Sequence, residues 1–275
     1  MFDLKILKTT IKVGLEKPVR FLQITDTHIT RDDPTGWNRT KEFDVDYEGC
    51  AEDYFFKALD YARTENIPII YTGDIIDFFT DANFAFIDEY LADVDYVYAA
   101  GNHDFCHFLG KATEDHDYKW EKIKEIAPHI KSNLYFDSRV IGGVNVVTLD
   151  NSYYLITDGQ IDLLKAEVAK GHPILLCVHV PFYEPVVAMA NFYDAYYVVG
   201  APYEMLAKLS DSRRIQQTPD EATLRAIDYI KSEPLIKAVI AGHKHTNCEA
   251  PLDSGLMQYT THGSYAGYVR EVTVI

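Results

Sequence analysis

Short runs of apolar and β-branched residues recur along the chain, and each run ends abruptly in polar residues. Six of these runs occupy positions 19–25, 67–72, 94–100, 144–149, 174–179 and 235–241. Their length and their content of Val, Ile and Tyr are typical of strands buried on both faces. The pattern therefore predicts a sheet structure whose strands lie in the interior.

Segments with helical periodicity fill the intervals between these runs. One helix is indicated by residues that recur every three or four positions, namely Tyr47, Ala51, Tyr54, Ala58 and Ala62. Thr157 and Gln160 predict a capping box at the start of a second helix, and Gly171 is a candidate for its end. A third helix is predicted to start at Thr218 as the cap, followed by Pro219 at the first helical position and the acidic Glu221. Its apolar stripe is formed by Leu224, Ile227 and Ile230. Strands alternating with helices predict a layered α/β fold.

Composition and charge narrow the class of protein. The 275 residues are 47% hydrophobic and 13% aromatic, which is a globular composition and enough for one large α/β domain spanning residues 1–275. The formal net charge is −16, so the chain repels polyanions at long range. Long nucleic acid is therefore excluded as an expected partner, because its binding requires a positive surface.

Cysteine usage and the N-terminal segment indicate the compartment. Cys50, Cys106, Cys177 and Cys248 are widely spaced and form no CxxC pair, so the sequence predicts neither a zinc ribbon nor a disulfide framework. Residues 1–13 lack the apolar run of a secretory signal, and no segment approaches the length of a membrane span. We therefore expect a cytoplasmic protein that does not associate with a membrane.

Residues able to bind metal ions follow the predicted strands. In α/β folds, ligands bind beyond the carboxyl ends of the strands. Five strand ends here carry aspartate, asparagine or histidine, at Asp26, His28, Asp74, Asp77, Asn102, His103, His179, His243 and His245. Mixed imidazole and oxygen ligands suit Mn, Fe, Zn or Ni, and their number exceeds what one tetrahedral zinc needs. The sequence therefore predicts two divalent metal ions that share a bridging carboxylate.

The order of these motifs resembles that of the calcineurin-like metallophosphoesterase superfamily. The motifs DxH, GDxxD, GNHD, a lone H and GHxH begin here at Asp26, Gly73, Gly101, His179 and Gly242. Each motif alone is weak, but all five occur in this order, each at a predicted strand end. The resemblance implies a four-layer α/β/β/α sandwich of two mixed β-sheets flanked by helices.

The resemblance also assigns roles to individual residues. It implies that one metal is bound by Asp26, His28 and His245, that the other is bound by Asn102, His179 and His243, and that Asp74 bridges them. It places His103 opposite the substrate as a catalytic residue that binds no metal. We expect Asp104 to orient His103, and Asp77 to hydrogen-bond within the site and support the ligand loops.

The implied activity is hydrolysis of a phosphate mono- or diester, with a metal-bridging hydroxide as the nucleophile. The negative net charge favours a small phosphate ester as the substrate. Two alternatives remain open: a nuclease of the same superfamily, and a catalytically inactive scaffold with the same fold. The sequence assigns no substrate-binding residue.

Two insertions near residues 31–48 and 181–219 could shape the pocket. The first carries basic and aromatic residues that could contact substrate or lie in an exposed loop, namely Arg31, Trp37, Arg39 and Lys41. The second is rich in tyrosine, with Tyr183, Tyr193, Tyr196, Tyr197 and Tyr203, and could form a lid or the surface of a homo-oligomer. The other histidines are expected in surface or loop positions: His107, His116, His129, His172 and His262.

Overall fold

The computed structural model describes residues 3–33, 39, 43, 50–106, 116–190 and 197–275. The strands are β1 (Lys5–Ile11), β2 (Val19–Ile24), β3 (Ile69–Tyr71), β4 (Tyr96–Tyr98), β5 (Phe136–Ile141), β6 (Val144–Leu149), β7 (Ile174–Cys177), β8 (Ile236–Ala241), β9 (Cys248–Pro251), β10 (Met257–Thr260) and β11 (Tyr268–Val274). The α-helices are α1 (Ala51–Glu65), α2 (Asp81–Tyr90), α3 (His116–Ile126), α4 (Asp158–Val168), α5 (Pro185–Met189), α6 (Tyr203–Leu206), α7 (Asp211–Gln217) and α8 (Glu221–Ser232). Short 3₁₀ turns span His103–Phe105, Ala127–His129 and Ser264–Ala266.

The strands form two mixed sheets. The first has five strands in the order β1-β11-β2-β3-β4, and the second has six in the order β5-β6-β7-β8-β10-β9. In the first sheet, β2, β3 and β4 are parallel neighbours. In the second sheet, β7 and β8 are parallel neighbours. The carboxyl ends of these five strands, which precede the predicted metal ligands, therefore lie at one edge of each sheet.

The two sheets pack face to face with helices on their outer faces. Phe21 and Ile70 of the first sheet share one buried cluster with Leu175 and Ile240 of the second. Helices α1 and α2 belong to a second cluster with the outer face of the first sheet. Helices α4 and α8 belong to a third cluster with the outer face of the second sheet. The predicted α/β/β/α sandwich of two mixed sheets is therefore confirmed. None of the helices in the described ranges is long and apolar enough to cross a membrane.

Several local predictions are confirmed and one is corrected. The strand predicted at 144–149 is β6, and the capping box of Thr157 and Gln160 opens α4. Helix α8, however, is capped by Asp220, whose side chain accepts a hydrogen bond from the Thr223 amide. A carboxylate at this position satisfies a free amide of the first turn, so the helix begins after Pro219 rather than at it.

The second insertion contains α5, α6 and α7 and a small apolar core of its own. Val187, Val198 and Leu206 pack there against Ala250 of β9. A bridge between Phe182 and Val199 ties the two ends of this segment together. Tyr193 and Tyr196 lie outside the described residues, and the choice between a lid and an oligomer surface stays open.

Candidate metal centre

Cross-sheet hydrogen bonds bring the two sets of strand ends together. The side-chain amide of Gln23 in β2 donates from Nε2 to the carbonyl of Ala241 in β8 over 2.9 Å. His179, directly beyond β7, lies with Nδ1 at 2.7 Å from the carbonyl of Thr72, beyond β3. The metal ligands predicted from both sheets consequently meet in a single cluster at this edge of the sandwich.

One group of ligand atoms comes from Asp26, His28 and His245. The Nε2 atoms of the two histidines are 3.1 Å apart, and Asp26 Oδ1 lies 3.3 Å from His245 Nε2. The other ring nitrogen of His28, Nδ1, is 2.8 Å from the Asp77 carboxylate and donates its proton there. Its Nε2 lone pair therefore faces Nε2 of His245, and a cation bound by both nitrogens would stabilise this arrangement.

A second group of ligand atoms surrounds Nε2 of His179. This nitrogen lies 3.1 Å from each of three atoms, namely His243 Nδ1, Asn102 Oδ1 and Asp74 Oδ2. Because Nδ1 of His179 donates to a backbone carbonyl, Nε2 carries no proton in the neutral ring and can ligate a metal. The residues predicted for the second metal are thus brought together.

Asp74 lies between the two groups, as expected of a bridging residue. Its Oδ2 is 3.1 Å from His179 Nε2 in one group and 3.8 Å from His28 Nε2 in the other. Three sets of ligand atoms within 4.8 Å of one another overlap in this region: Asp26, His28 and His245; His28, Asp74 and His103; and Asp74, His179 and His243. The donor set fits two divalent cations of the Mn, Fe, Zn or Ni type.

The electrostatics of the cluster favour bound positive charge. Burial opposes ionisation of Asp26 and Asp74, yet their surrounding histidines hold the pKa of both carboxyls below the usual range. Burial likewise lowers the pKa of His179, but the Asp74 carboxylate outweighs it and raises that pKa to about 9. A buried carboxylate pair that draws a proton onto a neighbouring imidazole would also draw in a metal cation.

Two histidines are instead held neutral, which is the form that ligates metals. Burial lowers the pKa of His28 to about 4, although its hydrogen bond to Asp77 acts in the opposite direction. Burial and the nearby His179 hold the pKa of His243 well below its usual value. Both rings therefore present lone pairs at neutral pH, ready for a cation.

The ligand loops adopt strained backbone conformations. Five predicted ligands have positive φ in the left-handed region: Asp26 (48°), His28 (51°), Asp74 (55°), His243 (67°) and His245 (43°). This conformation is uncommon for residues other than glycine and persists only where the surrounding structure enforces it. Five such residues occur at the strand ends, which shows that the backbone of these loops directs their side chains towards one point.

Neighbouring glycines make room for this convergence. A Cβ atom on Gly101 would overlap the carboxylate and amide nitrogen of Asp74. One on Gly242 would overlap the Thr25 hydroxyl and crowd the Asp26 carboxylate. The glycines of the GNHD and GHxH motifs are therefore required by close approach of the loops.

The carboxylate that contacts the His103 ring is that of Asp77, which corrects the expectation for Asp104. Nδ1 of His103 lies 3.1 Å from Asp77 Oδ1 and 3.0 Å from the Asp77 carbonyl. Asp104 accepts hydrogen bonds from the backbone amides of Asp74, Ile75 and Gly101 and from the Tyr98 hydroxyl. His103 and Asp104 are consecutive in a 3₁₀ turn, so their side chains point in different directions. Asp104 thus fixes the loop that carries Asp74.

The environment of His103 favours its protonated form. Burial lowers its pKa, but the carboxylates of Asp77 and Asp74 outweigh that effect and raise the pKa to about 10. The His103 side chain remains 18% exposed, whereas His28, His179 and the aspartates are buried. His103 therefore lies where the cluster opens to solvent, with a proton available to an incoming group.

The first insertion contributes directly to the cluster. Arg39 donates to Asp77 through Nε over 2.8 Å and through Nη2 over 2.9 Å. Its guanidinium covers the Phe43 ring, which in turn stacks on His28 with ring centroids 4.5 Å apart. Arg31 instead pairs with Glu52, with a shortest distance of 2.6 Å, and Trp37 and Lys41 lie outside the described residues.

Three further aromatic residues that the sequence did not single out as ligand partners lie against the GHxH histidines. The hydroxyl of Tyr154 is 3.0 Å from His243 Nε2, and that of Tyr265 is 3.1 Å from His245 Nδ1. His262 is not a plain surface residue, because its ring stacks on Tyr268 and lies 6.4 Å from the ring of His245. His107 lies outside the described residues.

Comparisons with known proteins agree with this architecture. A family model described as calcineurin-like phosphoesterase matches residues 19–247. A dimetal phosphatase from Danio rerio is 16% identical with a TM-score of 0.53, the match covering 90% of this chain and 88% of that one. Purple acid phosphatase PPD1 from yellow lupin (Lupinus luteus) is 13% identical with a TM-score of 0.51, covering 91% of this chain and 44% of that one. No curated protein matches the sequence significantly.

Proposed function

We infer that this chain, which belongs to the calcineurin-like phosphoesterase family, hydrolyses a small phosphate mono- or diester with two divalent cations in the candidate centre. Membership of that family makes it a metal-dependent phosphoesterase. The observation that carries the two-cation proposal is the position of Asp74 between two complete ligand groups. We propose Asp26, His28 and His245 for one cation, Asn102, His179 and His243 for the other, and Asp74 for both.

Two divalent cations held by these residues would stabilise charge on phosphoryl oxygens and lower the pKa of a bound water. The surrounding protein residues hold and orient the side chains that would bind the cations and the substrate. Asp104 and Tyr98 fix the loop of Asp74, and Asp77 fixes the rings of both His28 and His103. These contacts keep the ligand atoms in place before a substrate arrives, which reduces the reorganisation needed during the reaction.

His103 is suited to the role of hydrogen-bond donor or general acid. Its Nδ1 proton is held by Asp77, so the second proton of the imidazolium lies on Nε2. Such a group can donate a hydrogen bond to a phosphoryl oxygen or a proton to the departing alkoxide. The partly exposed position of the ring gives a substrate access to it.

A small substrate is supported by the net charge of −16. This charge repels long polyanions, whereas a small ester can approach two cations whose field is local. The choice between monoester and diester is a matter for measurement.

The proposed function is tested by hydrolysis of p-nitrophenyl phosphate and of bis-p-nitrophenyl phosphate, each with Mn²⁺ and with chelator. We expect turnover that requires metal, and the ratio of the two rates separates a monoesterase from a diesterase. Two bound metals without turnover of either ester would favour an inactive scaffold. Cleavage of single-stranded DNA with salt-dependent binding would favour a nuclease.

The role of His103 gives a separate prediction. His103→Gln is expected to retain two bound metals and to lower kcat by about 10²–10⁴-fold, the usual contribution of general acid catalysis. The loss should grow as the leaving group becomes more basic, because such leaving groups depend most on protonation. The measurement is kcat over a series of substituted phenyl phosphates. His129→Gln is the control, since His129 pairs with Asp88 on α2. An equal loss for every leaving group would contradict proton donation and indicate phosphate binding.

A further inference from the structure

Two tyrosine hydroxyls each contact one histidine of the GHxH motif on the ring nitrogen that faces away from the centre. Tyr154 contacts His243 at Nε2, while Nδ1 of the same ring lies 3.1 Å from Nε2 of His179. Tyr265 contacts His245 at Nδ1, while Nε2 of that ring lies 3.1 Å from Nε2 of His28. The two contacts are therefore equivalent, one for each group of ligands.

These tyrosine contacts determine which nitrogen of each histidine ring carries the proton. A neutral ring carries one proton, and the nitrogen that ligates a cation must be the one without it. The proton of His243 then lies on Nε2 and that of His245 on Nδ1, so each N–H donates to a phenolic oxygen. Such outer contacts fix the tautomer and the orientation of a ligating histidine.

The loop that carries Tyr154 is built to hold it in place. Tyr154 is buried and has a φ of 67°, an outlying conformation for an aromatic residue. Its amide donates to the carbonyl of Asn151 over 2.8 Å. The Asn151 side chain forms two hydrogen bonds, of 2.6 and 3.0 Å, with the backbone of Val180, the residue after His179.

A buried ion pair stabilises the same loop from its other side. Lys119, which is 2% exposed, pairs with Asp150 over 2.7 Å, and Asp150 also accepts from the amide of Ser152 over 3.0 Å. These contacts maintain the strained backbone that aims the Tyr154 hydroxyl at His243. A conformation so heavily supported indicates that the position of the hydroxyl matters.

Tyr265 is held by contacts to the first group of ligands. It lies in the 3₁₀ turn Ser264–Ala266, and the Ser264 amide donates to the carbonyl of Thr25 over 2.8 Å. The Tyr265 ring packs edge-on against Phe43 and His28, with centroids 4.8 and 5.9 Å away. Its hydroxyl is thereby fixed relative to the strand end that carries Asp26.

We propose that Tyr154 and Tyr265 are positioning residues that act on the two cation sites separately. Tyr154 sets the tautomer of His243 and so the affinity of the site shared with His179 and Asn102. Tyr265 sets the tautomer of His245 and so the affinity of the site shared with His28 and Asp26. The inference rests on the proposed function, because it requires that both groups bind cations.

The test removes each hydroxyl and keeps each ring, with Tyr154→Phe and Tyr265→Phe. Mn²⁺ is titrated into metal-free protein, and crystals soaked at sub-saturating Mn²⁺ give the occupancy of each site from anomalous scattering. Each variant is expected to weaken its own site by about 10–100-fold, the usual effect of losing an outer partner of a ligating histidine. The other site should keep its affinity, so the two variants should show opposite occupancy patterns.

Tyr197→Phe is the matched control. The Tyr197 ring also lies next to His243, with the two ring centroids 6.3 Å apart. This is an edge-to-face contact between rings, so removing the Tyr197 hydroxyl should leave it intact. This variant is expected to bind both cations as the unmodified protein does. Thermal unfolding of the metal-free variants checks that the fold is unchanged.

The outcomes separate this inference from the function on which it rests. Unmodified protein that binds no Mn²⁺ would overturn both. Unmodified protein that binds two Mn²⁺ and hydrolyses esters, together with variants of unchanged affinity, would overturn only the tyrosine roles. Equal weakening of both sites by each variant would overturn the separate action of the two residues.

Discussion

Asp74→Asn is expected to abolish hydrolysis and to weaken both cation sites. The carboxylate accepts a hydrogen bond from the His103 amide over 2.8 Å and faces both ligand groups through Oδ2. An asparagine keeps the size of the side chain but loses its charge and replaces one oxygen with an amide nitrogen that cannot ligate a metal. We expect kcat to fall by more than about 10³-fold, beyond the usual effect of losing one oriented donor.

The measurement combines turnover of p-nitrophenyl esters with metal content after dialysis against Mn²⁺. Asp158→Asn is the control, because Asp158 lies on the surface and pairs with Arg225. That variant should retain full activity and both metals. Loss of one metal from the Asp74 variant with unchanged affinity for the other would contradict a bridging role.

Gly101→Ala is expected to disable the centre without removing any ligand. The added Cβ would overlap the carboxylate and the amide nitrogen of Asp74. Neither atom can move without displacing the loop that follows β3 and carries Asp74. Overpacking of this kind usually costs about 1–3 kcal/mol in the free energy of unfolding. Displacement of the Asp74 carboxylate should lower kcat by about 10²-fold or more, since small errors of placement are costly in catalysis.

The measurements are kcat and the free energy of unfolding from denaturant titration. Gly171→Ala provides the comparison, because Gly171 has a φ of 80° and open space around its Cβ position. That substitution should destabilise the chain by about 1 kcal/mol through backbone strain alone and should leave kcat unchanged. If both alanine variants were fully active, close approach at Gly101 would not matter for the site.

The sequence predicts those parts of the centre that depend on local pattern. Buried strands such as β6 are visible as apolar runs, and parallel strands place their carboxyl ends together, so Asp26 and Asp74 could be placed near each other from the pattern. That His179 joins them from the other sheet was implied by the family resemblance. Strand β1 was not predicted, because its sequence Lys-Ile-Leu-Lys-Thr-Thr-Ile is neither a continuous apolar run nor a strict alternation of apolar and polar residues.

The contacts around the ligands depend on packing and could not be predicted. Tyr154 and His243 are 89 positions apart in sequence, and no spacing rule connects them. The expected partner of His103 was Asp104, its neighbour in the GNHD motif, and only the turn geometry shows that Asp77 contacts the ring instead. The role of Arg39 depends on how the first insertion folds back over His28.

The left-handed backbone at the ligand positions has an evolutionary consequence. A side chain in this conformation costs about 1–2 kcal/mol relative to glycine, and histidines such as His28 and His243 have less local hydrogen bonding to offset it than aspartate does. A descendant that no longer needed the cations would therefore gain stability from glycine at these positions, and selection for folding would remove the ligands faster than drift. The left-handed ligand positions are therefore the ones at which ligands are expected to be lost first in a lineage whose cation sites are no longer used.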